Sequence, residues 1–144
     1  MSFNLKTGAR RKARELVLQV LYQADVNGGH EVEAQLDILC ENFLISKKAM
    51  PYARELLAGV SRNIQKIDSL IAENARNWRV DRMSIIDRNI LRLGVYEVVF
   101  NDQVPATVAI NEAIEIAKRF STDDSASFIN GILDAVNYGQ GKKQ

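Results

Sequence analysis

Few side chains in this sequence have both the type and the spacing that catalysis or metal binding requires. The single histidine, His30, stands in a Gly-Gly-His-Glu stretch, and the single cysteine, Cys40, falls on the apolar side of a predicted helix. One imidazole and one thiol at this spacing do not make a recognisable metal site. The sequence has no Walker loop and no Gly-x-Gly-x-x-Gly or Gly-x-Ser-x-Gly motif. We therefore predict no metal and no cofactor, with His30 in a solvated loop and Cys40 in the core.

One pair of carboxylates has a spacing that could serve acid and base catalysis. Glu112 and Glu115 are three residues apart on one face of a predicted helix. The same spacing also fits an ordinary solvated surface, on which Glu115 pairs with Arg119 one turn later. We favour the solvated surface and predict that the protein is not an enzyme. A substrate-dependent activity that is lost on changing either glutamate would contradict this prediction.

The strongest chemical signal is a basic run near the start of the chain. The net charge is only +1, yet five cations precede the first acid, Glu15: Lys6, Arg10, Arg11, Lys12 and Arg14. At the N-terminus of a predicted helix these cations oppose the helix dipole, and a negatively charged partner would offset that cost. Cations that contact phosphates give an affinity that is independent of sequence and sensitive to salt. On charge alone, a solvated basic first turn remains the alternative.

Aromatic side chains favour RNA as the negatively charged partner. Single-stranded RNA is held by bases that stack on aromatic rings beside a basic groove. Tyr22 shares a flank of the first helix with Arg11, and Phe128 lies at the edge of the apolar face of the last helix. Phe128 could instead belong to the core. Asp123 and Asp124 could cap a helix, or accept hydrogen bonds from base edges.

The elements that must position these residues are all helical. The chain has 144 residues, 47% of them hydrophobic, and only two prolines, and no run alternates as a strand would. We predict an all-α fold of about seven helices in one domain spanning residues 1–144. The central helix runs over residues 84–100 and is apolar nearly all round. Ser84 should cap it, and Gly94 should let another helix come close. Its charged residues should form a narrow solvent strip: Asp87, Arg88, Arg92 and Glu97.

Hydrophobic periodicity and turn residues place the other helices. They are predicted over residues 9–26, 31–42, 52–63 with a continuation to about 71 after a bend near Ser61, 107–120 with Thr107 as a possible cap, and 125–137. The first helix should end at Asn27-Gly28-Gly29 and bury an apolar stripe: Ala13, Leu16, Val17, Val20, Leu21 and Ala24. Arg11, Leu18 and Tyr22 share another flank of this helix. Leu56 and Leu57 should be buried, and Phe120 should lie on the apolar face of its helix. Residues 1–8 and 139–144 should be flexible ends. No segment is apolar for long enough to span a membrane, and the basic start is not a secretory signal. A single cysteine is compatible with the cytoplasm.

Five segments of the sequence resemble the NusB family of bacterial transcription antitermination factors. They are ARRKARELVLQVLYQ at residues 9–23, ELLAGV at 55–60, IIDRNILRLGVYE at 85–97, VPATVAINEAIEIAKRF at 104–120 and DDSASFINGIL at 123–133. The resemblance follows the chain in order over nearly its whole length. It is weakest over residues 27–49.

The resemblance implies an all-helical fold with two helical subdomains around a long central helix. It also implies a cytoplasmic protein without catalytic activity. Such a factor binds boxA, a short single-stranded element of ribosomal RNA leader transcripts, together with NusE, which is also a small-subunit ribosomal protein. The complex joins NusA, NusG and RNA polymerase and suppresses premature termination.

The resemblance also assigns residues to these roles. The RNA-binding positions are Arg10, Arg11, Lys12, Arg14, Asp124 and Phe128, with Phe120 as a weaker candidate. Tyr22 and Asp87 match positions of the NusE interface, so Tyr22 contacts either NusE or RNA. Two alternatives remain: an RNA-binding appendage like those of ribosomal RNA cytosine methyltransferases, and a homodimer that hides the basic surface.

Overall fold

The computed structural model describes residues 5–28, 36–38, 47–75 and 83–141, with side chains from residue 8 onward. All regular structure in these ranges is helical, which confirms the predicted all-α fold class. The helices are α1 (Leu5–Asn27), α2 (Met50–Arg62), α3 (Ile64–Asn74), α4 (Ile85–Val95), a π-helical turn (Tyr96–Phe100), α5 (Ala106–Phe120) and α6 (Asp123–Gly139). Residues 36–38 form a further helical turn; the remainder of the helix predicted at 31–42 lies outside the described residues, as do His30 and Cys40. Within the described ranges, none of the helices has the length and apolar character needed to cross a membrane.

The chain divides into two compact units, Met1–Ala58 and Gly59–Gln144, and the boundary between them falls within α2. Two helical subdomains are what the family resemblance implies. In the first unit, α1 buries the apolar stripe that its periodicity predicts: Ala13, Leu16, Val17, Val20, Leu21 and Ala24. Leu56 and Leu57 of α2 are fully buried as well, also as predicted.

The first helix is longer than the periodicity predicts. It begins at Leu5 instead of near residue 9, so residues 5–8 are helical. Gly8 lowers the local helix propensity by about 1 kcal/mol relative to alanine, which the long helix tolerates. The helix ends at Asn27, and Gly28 follows with a φ of +94°. Glycine adopts this left-handed conformation without strain, so Gly28 stops α1 as the sequence predicts.

The helix α4 and the π-helical turn form the centre of the second unit. α4 packs against α3, α5 and α6, and the π-helical turn contacts α5 and α6. Their apolar side chains are buried: Ile90, Leu91, Leu93, Val95, Tyr96 and Val98. A helix with neighbours on several sides must be apolar around most of its circumference, and this property predicted its central position.

The charged side chains of this segment do not form the predicted solvent strip. Glu97 is 1% exposed, because it follows Ile90 by seven residues and Leu93 by four, and so lies on the same buried face of the segment. Arg92 donates two hydrogen bonds to Asp68 of α3, from Nε to Oδ1 at 2.8 Å and from Nη2 to Oδ2 at 2.9 Å. This bidentate ion pair joins α4 to α3.

Ser84 and Gly94 have the roles that the sequence predicts. The Oγ of Ser84 accepts a hydrogen bond from the backbone N–H of Asp87 at 3.1 Å and so caps α4. A Cβ atom on Gly94 would lie 2.7 Å from Cδ1 of Leu133 on α6. Glycine at this position therefore allows α4 and α6 to approach each other closely.

The helix boundaries around the remaining turns differ slightly from the predictions. α2 ends at Arg62, and the break falls at Asn63 instead of near Ser61. The side chain of Asn63 donates from Nδ2 to the carbonyl oxygen of Gly59 at 2.8 Å, which stabilises the end of the helix. Because the two helices meet at a single residue, α3 continues the apolar period with Ile67 and Ile71 fully buried.

The capping residues of the last two helices also differ. Thr107 does not cap α5, because the helix begins at Ala106 directly after Pro105 and has no side-chain cap. α6 begins at Asp123 instead of residue 125, because Thr122 caps it. The capping side chain is therefore that of Thr122, one residue before Asp123 and Asp124, which are themselves in the first turn.

Replacing Gly59 by alanine is expected to destabilise the protein, because the new methyl group would overlap the ring of Tyr96. Overpacking of this kind costs about 1–3 kcal/mol of the free energy of unfolding, and the buried ring has little room to move. Gly131→Ala is the matched control, since it also lies in a helix but its methyl group would meet nothing within 4 Å. It should raise stability by up to about 1 kcal/mol. Urea denaturation followed by circular dichroism measures both variants, and equal stabilities would contradict the close packing at Gly59.

Candidate nucleic-acid interface

The basic run lies on the second and third turns of α1, and the structure separates its cations by exposure. Arg11 and Lys12 are exposed, Arg10 is half-buried, and Arg14 is only 2% exposed. Successive residues of an α-helix are rotated by about 100°, so neighbouring cations point in different directions. Arg11 and Lys12 are therefore the cations that a phosphate group reaches most easily.

The ring of Tyr52, on α2, positions the two less exposed arginines. The Cζ of Arg10 lies 5.1 Å from the ring centroid, and the Cζ of Arg14 lies 5.7 Å from it. A guanidinium at this distance from an aromatic face is attracted by the ring quadrupole, by about 0.5–2 kcal/mol depending on desolvation. Sequence reasoning missed Tyr52, because the contact joins residues of two helices and no local pattern signals it.

The flank of α1 that carries Tyr22 is not a continuous solvent face. Tyr22 is exposed, but Leu18, which is predicted to share this flank with Arg11, is buried. A buried leucine thus lies between the exposed arginine and the exposed tyrosine along the helix. Tyr22 is open to contact by another molecule, and its role as a partner contact stays a prediction.

In the second unit, two aromatic side chains and an acid lie around the junction of α5 and α6. Phe120 is 44% exposed, although the periodicity places it on the apolar face, because it is the last residue of α5 and the chain leaves the helix after it. The Cζ of Arg119 lies 5.2 Å from the centroid of the Phe120 ring. On α6, Asp124 is exposed and Phe128 is half-buried.

The connection between α5 and α6 consists of two residues, Ser121 and Thr122, and hydrogen bonds fix it. The Oγ1 of Thr122 accepts from the N–H of Ser125 at 3.0 Å and donates to the Oγ of Ser125 at 3.0 Å. The carboxylate of Asp87 on α4 accepts from Ser121 Oγ at 2.8 Å and from Ser125 Oγ at 2.7 Å. Asp87 is thus engaged within the second unit, and its predicted contact with NusE stays a prediction.

The glutamates considered for catalysis do not lie on one solvated face. Glu112 is buried, whereas Glu115 is exposed, so the prediction of a shared solvated surface is wrong for Glu112. The two carboxylates do not open onto solvent together, as an acid and base acting on one substrate must. Among the described residues, no group of three or more His, Cys, Asp or Glu side chains could hold a metal ion.

The predicted RNA-binding residues therefore belong to different units. The first unit carries Arg10, Arg11, Lys12 and Arg14, and the second carries Phe120, Asp124 and Phe128. Each group has exposed members. Exposed cations and exposed aromatic rings are the side chains that bind phosphates and bases of single-stranded nucleic acid.

Removing the cap of α6 should destabilise the second unit. Thr122→Ala loses the hydrogen bond to the Ser125 N–H, and such a loss costs about 1 kcal/mol of the free energy of unfolding. Thr107→Ala is the matched control, because Thr107 is an exposed threonine at a helix start that forms no cap. Its stability should change by less than about 0.5 kcal/mol. Thermal and urea unfolding of the two variants distinguish them, and a smaller effect of Thr122→Ala than of Thr107→Ala would show that the cap contributes nothing.

The comparisons with known proteins all point to the same family. The NusB family model matches residues 11–138 of the chain. The transcription antitermination protein NusB of Desulfotalea psychrophila is 50% identical over 134 residues, which cover 88% of this chain and 94% of that protein.

Solved structures with similar folds include two of particular relevance. NusB of T. maritima is 39% identical with a TM-score of 0.82, over 90% of each chain. A chain in the crystal structure of antitermination factors NusB and NusE in complex with double-stranded RNA is 29% identical with a TM-score of 0.83, over 91% of this chain and 97% of that chain.

Proposed function

The chain belongs to the NusB family, and we propose that it acts as a transcription antitermination factor that binds RNA without catalysing a reaction. The observation that carries this proposal is the exposure of Arg11 and Lys12 on a helix whose first turn contains no acid. These two cations lie beyond the first turn of α1, where the helix dipole acts, so their own exposed charge is what favours a polyanion. A polyanion that binds there pairs its phosphates with both side chains.

We assign the RNA to boxA of ribosomal RNA leader transcripts and the principal protein partner to NusE. A related structure contains NusB, NusE and RNA together, which supports this combination. Within the cytoplasm, the complex would join NusA, NusG and RNA polymerase and suppress premature termination. Tyr22 and Asp87 are the proposed contacts with NusE, and the exposure of Tyr22 supports its part in that role.

The cations of α1 would supply the phosphate contacts. Arg11 and Lys12 are exposed and would bind phosphates directly, and Arg10 would join them from its position beside Tyr52. Arg14 is buried against the same ring, so we assign it to the support of Arg10 and of the helix surface. Phosphate contacts of this kind give modest affinity for any RNA and weaken as salt rises.

The junction of α5 and α6 would supply the contacts to bases. The exposed ring of Phe120, with the guanidinium of Arg119 beside it, presents an aromatic and cationic surface on which a base can stack. Phe128, which is half-buried on the next helix, would offer a second ring. Asp124 is exposed and could accept hydrogen bonds from base amino or imino groups, a contact that carries sequence information.

Fluorescence anisotropy with a short boxA-type RNA and a scrambled control, with and without NusE and over a salt series, tests the proposed function. Preference for boxA that increases when NusE is added is the expected result. Equal and feeble binding to both RNAs in either condition would overturn the proposal. The mass of the particle in solution, measured at the same concentrations, shows whether a homodimer competes with RNA for the basic surface.

Removing a phosphate-binding cation should weaken binding to all RNAs alike. Arg11→Ala and Lys12→Ala should each lower affinity for the boxA-type and the scrambled RNA, and reduce the slope of log affinity against log salt by about 0.7 per contact. Arg62→Ala is the control, because it removes an exposed arginine outside the basic run. Salt titrations of binding measure the slopes, and an unchanged slope for both test variants would show that α1 does not contact phosphate.

Removing an aromatic platform should weaken binding to base-bearing RNA. Phe120→Ala and Phe128→Ala should each cost about 1–3 kcal/mol of binding free energy if a base stacks on the ring. Tyr138→Ala is the control, since this tyrosine of α6 is 76% exposed and lies at the other end of the helix. Anisotropy gives the affinities, and circular dichroism reports folding. If Phe128→Ala unfolds the protein, the ring belongs to the core and its assignment to RNA fails.

A further inference from the structure

A single carboxylate on the central helix of the second unit holds both sides of the junction between α5 and α6. Ser121 follows the last residue of α5, and Ser125 lies in the first turn of α6. Each donates its hydroxyl hydrogen to a different oxygen of Asp87. Because charge-assisted O–H···O⁻ bonds are short and strong, the two bonds together fix the end of one helix relative to the start of the next.

The position of Asp87 is itself fixed by the start of α4, to which it belongs. Its backbone N–H donates to the capping oxygen of Ser84, and it belongs to α4, whose apolar residues are buried among three neighbouring helices. Its negative charge in the first turn of α4 also interacts favourably with the helix dipole. The junction is therefore attached to a rigid element and not to a surface loop.

Every proposed RNA contact of the second unit lies within one helical turn of a serine whose hydroxyl Asp87 holds. Phe120 directly precedes Ser121, and Asp124 directly precedes Ser125. Phe128 follows Ser125 by three residues, a spacing that places both on one face of α6. A rotation of the junction would therefore move all three side chains away from the positions they have now.

We propose that Asp87 is a positioning residue for RNA recognition, which acts through Ser121 and Ser125 to orient the base-contacting side chains at the α5–α6 junction. This inference rests on the proposed function, because it takes Phe120, Asp124 and Phe128 as contacts with bases. It assigns to Asp87 a role within the chain that is separate from any contact with a protein partner. Asp87 does not itself touch the RNA in this role.

A positioning role differs measurably from a general contribution to stability. A loss of stability alone lowers the fraction of folded protein and so affects every RNA ligand equally. Loss of orientation at the junction affects ligands that have bases and spares ligands that have only a phosphate backbone, since the cations of α1 lie in the other unit. An abasic RNA of the same length is therefore the decisive probe.

The test uses Asp87→Asn and the double variant Ser121→Ala/Ser125→Ala, with Ser127→Ala as the control. Ser127 is an exposed serine on the same helix. Fluorescence anisotropy is measured with a single-stranded boxA-type RNA of about 12 nucleotides, within the usual site size, and with an abasic RNA of equal length. Hydrogen exchange of the backbone amides over residues 120–126 reports the mobility of the junction in each variant, and circular dichroism reports its folding.

The expected result is a loss of affinity for the base-bearing RNA of about five- to tenfold in both test variants, a part of what one stacked base contributes. Affinity for the abasic RNA should not change, and the amides of residues 120–126 should exchange faster. If Asp87→Asn does not fold, the serine variant alone decides, since it retains the carboxylate and its charge on α4.

Two results would overturn the inference while leaving the proposed function intact. One is unchanged affinity of the serine variant for the base-bearing RNA, and the other is an equal loss of affinity for both RNAs. If instead the wild-type protein binds the base-bearing and the abasic RNA equally, the base contacts themselves are absent. In that case the proposed base recognition fails, independently of what the variants do.

Discussion

The burial of α4 and its π-helical turn is the constraint on which the second unit depends. Helices pack against this segment on several sides and exclude water from it. Polar groups at its edges must then find partners within the protein, because an unpaired buried charge is strongly unfavourable. Arg92 meets this requirement with Asp68, and Asp87 meets it with Ser121 and Ser125. The same interactions that complete the core therefore also fix the surface that we assign to RNA.

Much of this fold could be predicted from the sequence, because the signals concerned are local. The apolar stripe of α1, the central helix, the cap at Ser84 and the stop at Gly28 each depend on residues that are close together in the chain. Periodicity and capping describe such short-range relations well. The close approach at Gly94 is also predictable, since a glycine that weakens an otherwise apolar helix indicates a neighbour that needs the space of its missing side chain.

The predictions that failed depend on features that a helical wheel does not contain. Phe120 is exposed because it ends a helix, where the apolar face no longer has a neighbour to pack against. Arg14 and Tyr52 meet across two helices, so the charge pattern of the basic run predicts an interface but not which of its cations face solvent. The hydrogen bonds that hold the junction likewise required the structure, because Asp87 is distant in sequence from Ser121 and Ser125.

The contact between Gly59 and Tyr96 has a consequence for how sequences of this kind can diverge. The space that the missing Cβ leaves is filled by an aromatic ring, so the two positions share one volume. A larger residue at position 59 is compatible with the fold only if position 96 becomes smaller at the same time. Among related sequences, the two positions should therefore covary, and a chain with a bulky residue at both should be absent. Such paired substitutions would show that the packing of position 59 against position 96 of the π-helical turn is kept as sequences of the family diverge.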